Sequence, residues 1–204
     1  LENNTMSTML QHFLANSTVS RSFADILLTF LVERIEALHS IGILDTPPQE
    51  MFDRITAMLS RVMDVPICLV SLVDTDRQWF KSNLGLGDVF ETHRNEAFCG
   101  HAIMPGAPEV LVVHDTWLDS RFKENLLVRG PPHIRFYAGA PVRFTYLEKV
   151  YKLGTVCVID RKPRSAFSVK DKQLLLDMAA AVADEIRLFQ RGTSRVMEEN
   201  QRYI

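Results

Sequence analysis

Hydrophobic residues recur at helical spacing near the start of the chain. Residues 21–40 place large apolar side chains on one wide face, and Gly42 ends the predicted helix. The face consists of Phe23, Ile26, Leu27, Phe30, Leu31, Ile35 and Leu38. It is wider than packing on one small domain requires, and the upstream stretch 9–14 extends it. Because an exposed apolar surface of this kind usually marks an interface, we expect a homodimer through the terminal helices.

Two further segments show the same helical period. Residues 44–65 form the second predicted helix, with Thr46 as N-cap and Pro47 in the first helical position. The last predicted helix starts at Ser168, and Asp171 three residues later completes a capping box. Its apolar positions continue to about residue 190.

Strand patterns lie between these helices. Residues 67–73 are apolar on both alternating faces, which predicts a central strand covered on both sides. A turn at Asp74–Asp76 returns the chain as a hairpin strand at 77–82. Further strands are predicted at 109–115, 133–144 and 152–160. The remaining stretches indicate a polar, glycine-containing loop at 84–95, one or two helical turns at 97–104, and a short helix at 118–128.

This element order predicts the fold class. It is an α/β (α+β) sandwich around an antiparallel sheet, because no parallel βαβ series is present. A length of 204 residues fits one domain with extensions. The net charge of −2 gives no general attraction to nucleic acid or to an anionic membrane.

Cysteine usage and hydropathy bear on the compartment. The three cysteines, an odd number in apolar surroundings, argue against a disulfide scaffold and for a reducing environment. The apolar run at 23–32 is too short to span a bilayer and lacks the flanks of a signal peptide. We therefore expect a cytoplasmic protein without membrane insertion.

Six ordered segments resemble one family. They are "ILDTPPQEMFDRIT", "PICLVSLVDTDRQWFKS", "RNEAFCGHAI", "VVHDTWLDSRFKENLLV", "IRFYAGAPV" and "LGTVCVIDRKPR". Together they resemble a GAF domain of the subgroup that stands alone or accompanies histidine kinase and diguanylate cyclase domains. The resemblance implies a six-stranded antiparallel sheet with the terminal helices on one face and pocket loops on the other. It also implies a regulatory, sensory role in signal transduction, often as a dimer.

The resemblance also implies domain boundaries and indicates which classes of ligand the sequence does not support. The expected parts are an N-terminal helical extension at 1–34, a GAF domain at 35–190 and a C-terminal tail at 191–204. The asparagine-lysine-phenylalanine-aspartate-glutamate signature of cyclic-nucleotide-binding relatives is not found, and neither is the cysteine motif that anchors bilins. The small-molecule ligand and any cofactor are therefore unidentified.

Cys99 and His101 are the first candidates for chemistry. In a helix, residues two apart point in nearly opposite directions, so they do not form a nucleophile–base pair. Free methionine-R-sulfoxide reductases resemble this chain at Phe98-Cys99-Gly100, but their nucleophile is a cysteine in the segment downstream. Residues 110–135 contain no cysteine, so this alternative lacks its attacking thiolate.

A metal site is the other chemical alternative. Cys99, His101, His114 and Asp115 supply donor atoms, but their spacing matches no closed zinc pattern. We therefore assign no metal ligands and no catalytic residues.

The pocket is expected between the sheet and segments 84–104 and 115–137. The candidate ligand-binding residues are Trp79, Phe98, Cys99, His101, Asp115, Arg121, Arg135 and Tyr137. For the arginines an alternative stays open, since Asp115 and Asp119 are available as structural partners. For Trp79 and its neighbour Phe80 two alternatives stay open: they stack on a flat ligand, or alternation sends one of them to the core and the other to the surface. Three functions remain: a sensory domain, a thiol-dependent reductase, and an interaction scaffold with a vestigial pocket.

Overall fold

The computed structural model describes residues 21–201, with side chains described from Leu27 to Thr193. The N-terminal stretch 9–14, which was predicted to extend the first helical face, lies outside the described residues. The same holds for the side chains of Phe23 and Ile26 and for most of the predicted N-terminal extension.

Five α-helices and six strands make up the described fold, in an order that agrees with the sequence patterns. The helices are α1 (Arg21–His39), α2 (Glu50–Met63), α3 (Phe98–Ile103), α4 (Leu126–Arg129) and α5 (Val169–Gln201). The strands are β1 (Ile67–Val73), β2 (Arg77–Leu84), β3 (Glu91–His93), β4 (Leu111–Val113), β5 (Phe136–Tyr146) and β6 (Lys149–Asp160). A single 3₁₀ turn, Arg94–Glu96, joins β3 to α3.

The six strands form one antiparallel sheet in the order β3-β2-β1-β6-β5-β4. β1 and β6 are its centre, and β1 is buried along its whole length, as predicted. β3 lies inside the segment that was predicted to be a loop. Three residues are too few to show a period of two, so its pairing with β2 was not visible in the sequence.

Each face of the sheet has its own hydrophobic core. Even-numbered residues of β1 pack with α1, α2 and α5 on one face, which we call the helix face. Odd-numbered residues of β1 pack with α3 and the loops on the other, which we call the pocket face. Both terminal helices lie on the helix face, which confirms the predicted arrangement.

Two predicted helix boundaries can be compared with the structure. The capping box at the start of α5 is confirmed: the Ser168 N–H donates to the Asp171 carboxylate at 2.8 Å, and the Asp171 N–H donates to the Ser168 hydroxyl at 3.1 Å. The prediction of Thr46 as N-cap of α2 was wrong, since the N-cap is Gln49. Two consecutive prolines follow Thr46, and a residue before proline disfavours the helical conformation.

The extents of two helices also differ from the prediction. Of the predicted helix at 118–128, helical structure is limited to α4, and the residues before it form turns. α5 continues through Gln201, beyond the last apolar position that the pattern identified. Within residues 21–201, no helix is both long and apolar enough to cross a membrane.

Candidate functional site

A cavity of about 410 Å³ lies on the pocket face of the sheet. Its floor comes from β1, β2, β5 and β6, and its roof comes from the two segments in which the sequence placed the pocket. The lining residues are mainly apolar, and they include Leu69, Phe80, Leu86, Val89, Phe98, Leu127, Ile134 and Ile159. A cavity of this size and character suits a small, largely apolar molecule.

One end of the cavity is polar. Gln78 of β2 and Thr92 of β3 are cross-strand partners, and both line the cavity. Gln78 Oε1 and Thr92 Oγ1 are buried and have no hydrogen-bond partner among the described residues. Since buried polar atoms are nearly always hydrogen-bonded, this end of the cavity favours a ligand with a polar group.

Aromatic rings join the cavity roof to its floor. Phe98 of α3 stacks on Phe122 with ring centroids 4.3 Å apart, and on Tyr137 of β5 at 5.2 Å. All three rings are almost completely buried. α3 is therefore fixed against the sheet by ring stacking, which sets the position of Cys99 beside Phe98.

Cys99 is buried where α3 meets the sheet. Three hydroxyl groups surround its sulfur: Thr155 Oγ1 at 3.0 Å, Ser71 Oγ at 3.1 Å and the Tyr137 hydroxyl at 3.4 Å. The sulfur of Cys157 lies 4.0 Å away. Cys99 also lines the cavity, whereas Cys157 lies behind it in β6.

The surroundings of Cys99 affect its acidity in two opposing ways. Burial raises the pKa of the thiol, because a thiolate is poorly solvated in the protein interior. Hydrogen bonds from Cys157, Ser71, Thr155 and Tyr137 stabilise the thiolate, and their combined effect lowers the pKa below its usual value. The pKa of Cys157 is raised, first by its hydrogen bond to Cys99 and then by burial. Of the two thiols, Cys99 is the one that more readily forms a thiolate.

Three of the eight predicted ligand-binding residues line the cavity: Phe98, Cys99 and Tyr137. The placement of Trp79 at the pocket was wrong, because Trp79 belongs to the core of the helix face. Its neighbour Phe80 points to the pocket face and lines the cavity instead. Both side chains are buried, on opposite faces of the sheet.

The two predicted arginines bind aspartates rather than the cavity. Arg135 donates to both carboxylate oxygens of Asp115, at 3.1 and 2.8 Å. Arg121 donates to both oxygens of Asp119, at 2.9 and 2.6 Å. The hydrogen bonds from Arg135 lower the pKa of Asp115. The structural alternative for these arginines is therefore confirmed, and Arg121, Arg135 and Asp115 do not line the cavity.

His101 also lies away from the cavity lining. Its ring packs edge-on against Phe122, with centroids 4.8 Å apart. It is the α3 residue two positions after Cys99, and the hydrogen bonds to the Cys99 sulfur come from the sheet. Among the described residues, no group of three or more His, Cys, Asp or Glu side chains is placed to hold a metal ion.

Sequence reasoning missed the residues that complete the site. Ser71, Thr155 and Cys157 surround Cys99, and Gln78 and Thr92 form the polar end of the cavity. One signal was available for Ser71, since it is a hydroxyl residue at the odd, pocket-face position of an otherwise apolar strand. No comparable local signal marks Thr92, which lies in the short edge strand.

Comparison with known families decides the identity of the fold. The model of the GAF domain matches residues 47–186, which include the whole sheet and the cavity. The chain belongs to the GAF family. GAF domains are sensory and regulatory domains, so the predicted family and regulatory role are confirmed. A model described as the Tra1 HEAT repeat central region matches residues 1–63, but the described part of that range packs on the GAF sheet.

One curated relative is a cyclic di-GMP phosphodiesterase of Pseudomonas aeruginosa, which is 37% identical over 166 residues. The match covers 81% of this chain, but it spans only 27% of the relative's length.

Solved structures agree on the fold. The GAF domain of an Acinetobacter phosphoenolpyruvate-protein phosphotransferase superposes with a TM-score of 0.53 at 20% identity, covering 76% of this chain and 93% of that one. A type II free methionine-R-sulfoxide reductase of Thermoplasma acidophilum has a TM-score of 0.53 at 15% identity, covering 69% and 92%. At such identities the likeness concerns the fold alone, and it confirms the predicted GAF-like architecture.

Proposed function

We propose that this GAF domain is a non-catalytic sensor that binds a small, mainly apolar molecule in its cavity. The observation that carries the proposal is the cavity of about 410 Å³ with an apolar lining and a polar end at Gln78 and Thr92. An apolar body of the ligand would contact Leu69, Phe80 and Ile159. A polar group of the ligand would reach Gln78 and Thr92 and satisfy their buried atoms.

The arrangement of the candidate catalytic groups supports a non-catalytic role. A thiol enzyme needs a base that accepts the thiol proton and a group that orients the base. The polar atoms around Cys99 are hydroxyls and a second thiol, while His101 packs on Phe122. Asp115 and Asp119 are each held by an arginine. None of the sequence-derived candidates thus forms a nucleophile–base pair.

The output of the sensor is inferred from the relative in Pseudomonas aeruginosa. That protein is named as a cyclic di-GMP phosphodiesterase, and this chain matches about a quarter of it. We assign to this chain the regulation of a signalling output of that kind, with the cavity occupant as the signal. The free thiols of Cys68, Cys99 and Cys157 suit the reducing cytoplasm.

Filling the cavity is expected to abolish ligand binding. Leu86 lines the cavity from a loop and is partly buried, so a Leu86→Trp side chain can occupy the cavity without displacing a strand. The probes are a panel of small aromatic compounds with indole as reference. A compound at about 100 times its Kd stabilises the folded state by ~2.7 kcal/mol, which thermal unfolding detects. We expect such a shift for wild-type protein and none for Leu86→Trp.

The matched control is Val62→Trp, because Val62 is 63% exposed on α2, on the helix face. This variant should respond to the compounds as wild-type protein does. Native mass spectrometry of the freshly purified protein reports any retained molecule in the same three proteins. Equal shifts for both tryptophan variants would place binding outside the cavity, and no shift with any compound in wild-type protein would contradict the proposal.

Assembly through the terminal helices is the second part of the proposal. Leu27 and Leu31 of α1 are buried and Leu38 belongs to the core of the helix face, whereas Leu28 is 37% exposed. On α5, Leu188 is 57% exposed. The exposed side chains of Leu28 and Leu188, one on each terminal helix, form the symmetric contact between two protomers.

Charge substitutions on these helices are expected to dissociate the dimer. Light scattering at micromolar concentration should give twice the chain mass for wild-type protein, and the single chain mass for Leu28→Glu combined with Leu188→Glu. Buried Leu27 is avoided, since a charge there would damage the monomer itself. Val62→Glu, on α2, should leave the dimer intact. A wild-type protein with the mass of one chain would refute this part of the proposal.

A further inference from the structure

Two thiols meet between the cavity and the centre of the sheet. The sulfurs of Cys99 and Cys157 are 4.0 Å apart, although the residues are 58 positions apart in the chain. A disulfide requires about 2.05 Å, so the sulfurs need to approach by about 2 Å. Cys68, the remaining cysteine, packs in the core of the helix face, on the other side of the sheet.

The two cysteines differ in access and in environment. Cys99 lines the cavity, so a molecule as small as a peroxide that enters the cavity can reach this residue. Cys157 is completely buried in β6 and does not line the cavity. Three hydroxyl groups, from Ser71, Thr155 and Tyr137, lie within hydrogen-bond distance of the Cys99 sulfur. Hydrogen bonds to a sulfur stabilise its thiolate, which is the nucleophilic form of cysteine.

We infer that Cys99 and Cys157 form a peroxide-sensitive modification site, in which Cys99 is the attacking cysteine and Cys157 the resolving cysteine. The cavity admits the oxidant, and the hydroxyl groups of the sheet position and stabilise the attacking sulfur. The site goes beyond ligand sensing, and it does not depend on whether the cavity also binds an organic molecule.

The reaction proceeds in two balanced steps. The thiolate sulfur of Cys99 attacks one oxygen of hydrogen peroxide, the O–O bond breaks, and the second oxygen leaves as hydroxide. The hydroxide takes up the proton that the Cys99 thiol released and becomes water. Cys99 is now a sulfenic acid.

In the second step the sulfur of Cys157 attacks the sulfenic sulfur of Cys99, and the S–O bond breaks. The departing hydroxide takes the Cys157 proton and leaves as water. In sum, two thiols lose two electrons and two protons to form one disulfide, and the peroxide is reduced to two molecules of water. The disulfide would link α3 to β6 and so change the wall of the cavity.

Peptide mapping of the wild-type protein tests the assignment. Reduced, folded protein is treated with hydrogen peroxide, remaining thiols are alkylated under denaturing conditions, and peptides are separated without reductant. We expect a crosslinked peptide that contains Cys99 and Cys157, a mass loss of about 2 Da for the two hydrogens, and full alkylation of Cys68. This measurement needs no variant, so the folding of variants does not affect it.

Three serine variants then separate the roles. Cys68→Ser is the matched control, because it removes a buried thiol of the opposite face, and it should form the crosslink at the wild-type rate. Cys157→Ser should stop at the Cys99 sulfenic acid, which dimedone labels. Cys99→Ser should form no crosslink. Circular dichroism and thermal unfolding establish that each variant is folded before it is oxidised.

The role of the hydroxyl groups is tested by the pH dependence of the oxidation rate. In Thr155→Val one donor to the Cys99 sulfur is lost, so the pH at which oxidation reaches half of its maximal rate should rise. A purely structural role of Thr155 would leave that pH unchanged.

The assignment fails if peroxide gives no intramolecular crosslink in the wild-type protein, or if the crosslink includes Cys68. The assignment also fails if dimedone labels Cys157 in the Cys99→Ser variant as fast as it labels Cys99 in the Cys157→Ser variant. That result would show that Cys157 can act as the attacking cysteine. Free methionine sulfoxide serves as a second oxidant. Oxidation by the sulfoxide as fast as by peroxide would replace the peroxide assignment with the reductase alternative.

Discussion

Replacement of Gly154 by alanine is expected to lower the free energy of unfolding by about 3 kcal/mol. Gly154 lies in β6 at the centre of the sheet, paired with Leu72 on one side and Val142 on the other. A Cβ atom at this position would lie 1.9 Å from the carbonyl oxygen of Ser71 and 2.8 Å from the Leu72 Cα. Because both contacts are to backbone atoms, rotation of a side chain does not relieve them, and β1 has to move.

Chemical denaturation followed by circular dichroism measures this effect. The matched control is Gly192→Ala, since a Cβ atom at Gly192 of α5 would meet no heavy atom of the described residues within 4 Å outside the adjoining backbone of its own helix. That variant should be neutral or more stable by up to ~1 kcal/mol, because alanine favours helix over glycine. Equal stability of the two alanine variants would show that β1 and β6 do not approach as closely as the structure indicates.

The displacement of β1 in the Gly154→Ala variant would also affect the surroundings of the Cys99 thiol. Ser71 is the residue whose carbonyl oxygen meets the added Cβ atom, and its hydroxyl donates to the Cys99 sulfur. Gly154→Ala should therefore alter the oxidation rate of Cys99 even under conditions in which the variant remains folded. Packing at the centre of the sheet and chemistry at the cavity wall thus depend on one short stretch of β1.

Local patterns in the sequence predicted those parts of the fold that local contacts determine. The capping box of Ser168 and Asp171 spans four residues, and both of its hydrogen bonds form as expected. The two-sided burial of β1 follows from its apolar residues on both faces. In contrast, alternation shows that Trp79 and Phe80 lie on opposite faces but does not say which one faces the pocket. That choice depends on how β2 pairs with β1, including the shift in register between Val70 and Ser71.

The surroundings of the Cys99 thiol could not be predicted from local patterns either, because they also depend on strand pairing. The partners of the Cys99 sulfur are separated from it by 28 positions for Ser71, 38 for Tyr137 and 56 for Thr155. Only the order and register of three strands, β1, β5 and β6, bring these groups together. The sequence identified Cys99 as a candidate because a cysteine and a histidine stand close in the chain, yet its chemically relevant neighbours are distant residues of the sheet.

Buried charge at the end of β1 is another non-local feature, and Asp74 is at its centre. Its carboxylate accepts a hydrogen bond from His39 at 2.7 Å and lies 3.5 Å from Arg77. Two almost fully buried arginines surround the same turn: Arg34 of α1 donates to the Val73 carbonyl at 2.7 Å, and Arg94 donates to the Asp74 carbonyl. Burial, and then the positive charge of Arg94, lower the pKa of Arg34 to about 9, while the negative charge of Asp74 opposes this effect.

Asp74→Asn is expected to lower the free energy of unfolding at neutral pH by about 3 kcal/mol, since removal of one partner leaves buried charges uncompensated. The amide nearly preserves the shape of the side chain, so the loss reports on the charge. Burial alone would raise the pKa of Asp74, but hydrogen bonds from His39 and Thr75 and the charge of Arg77 together hold it below its usual value. Because the folded-state pKa is lower than the unfolded value of about 3.9, the stabilisation is complete above that pH.

Acid should therefore reduce the difference between the two proteins. As the pH falls from about 4 through the lowered pKa of Asp74, wild-type protein loses the contribution of this carboxylate, and the asparagine variant has none to lose. Urea unfolding at a series of pH values, with the variant Asp88→Asn as control, measures the difference. Asp88 lies exposed in the loop between β2 and β3, so its replacement should change the stability by less than about 0.5 kcal/mol at neutral pH. If Asp74→Asn is as stable as Asp88→Asn at neutral pH, or if the difference grows as the solution is acidified, the carboxylate does not compensate the buried arginines.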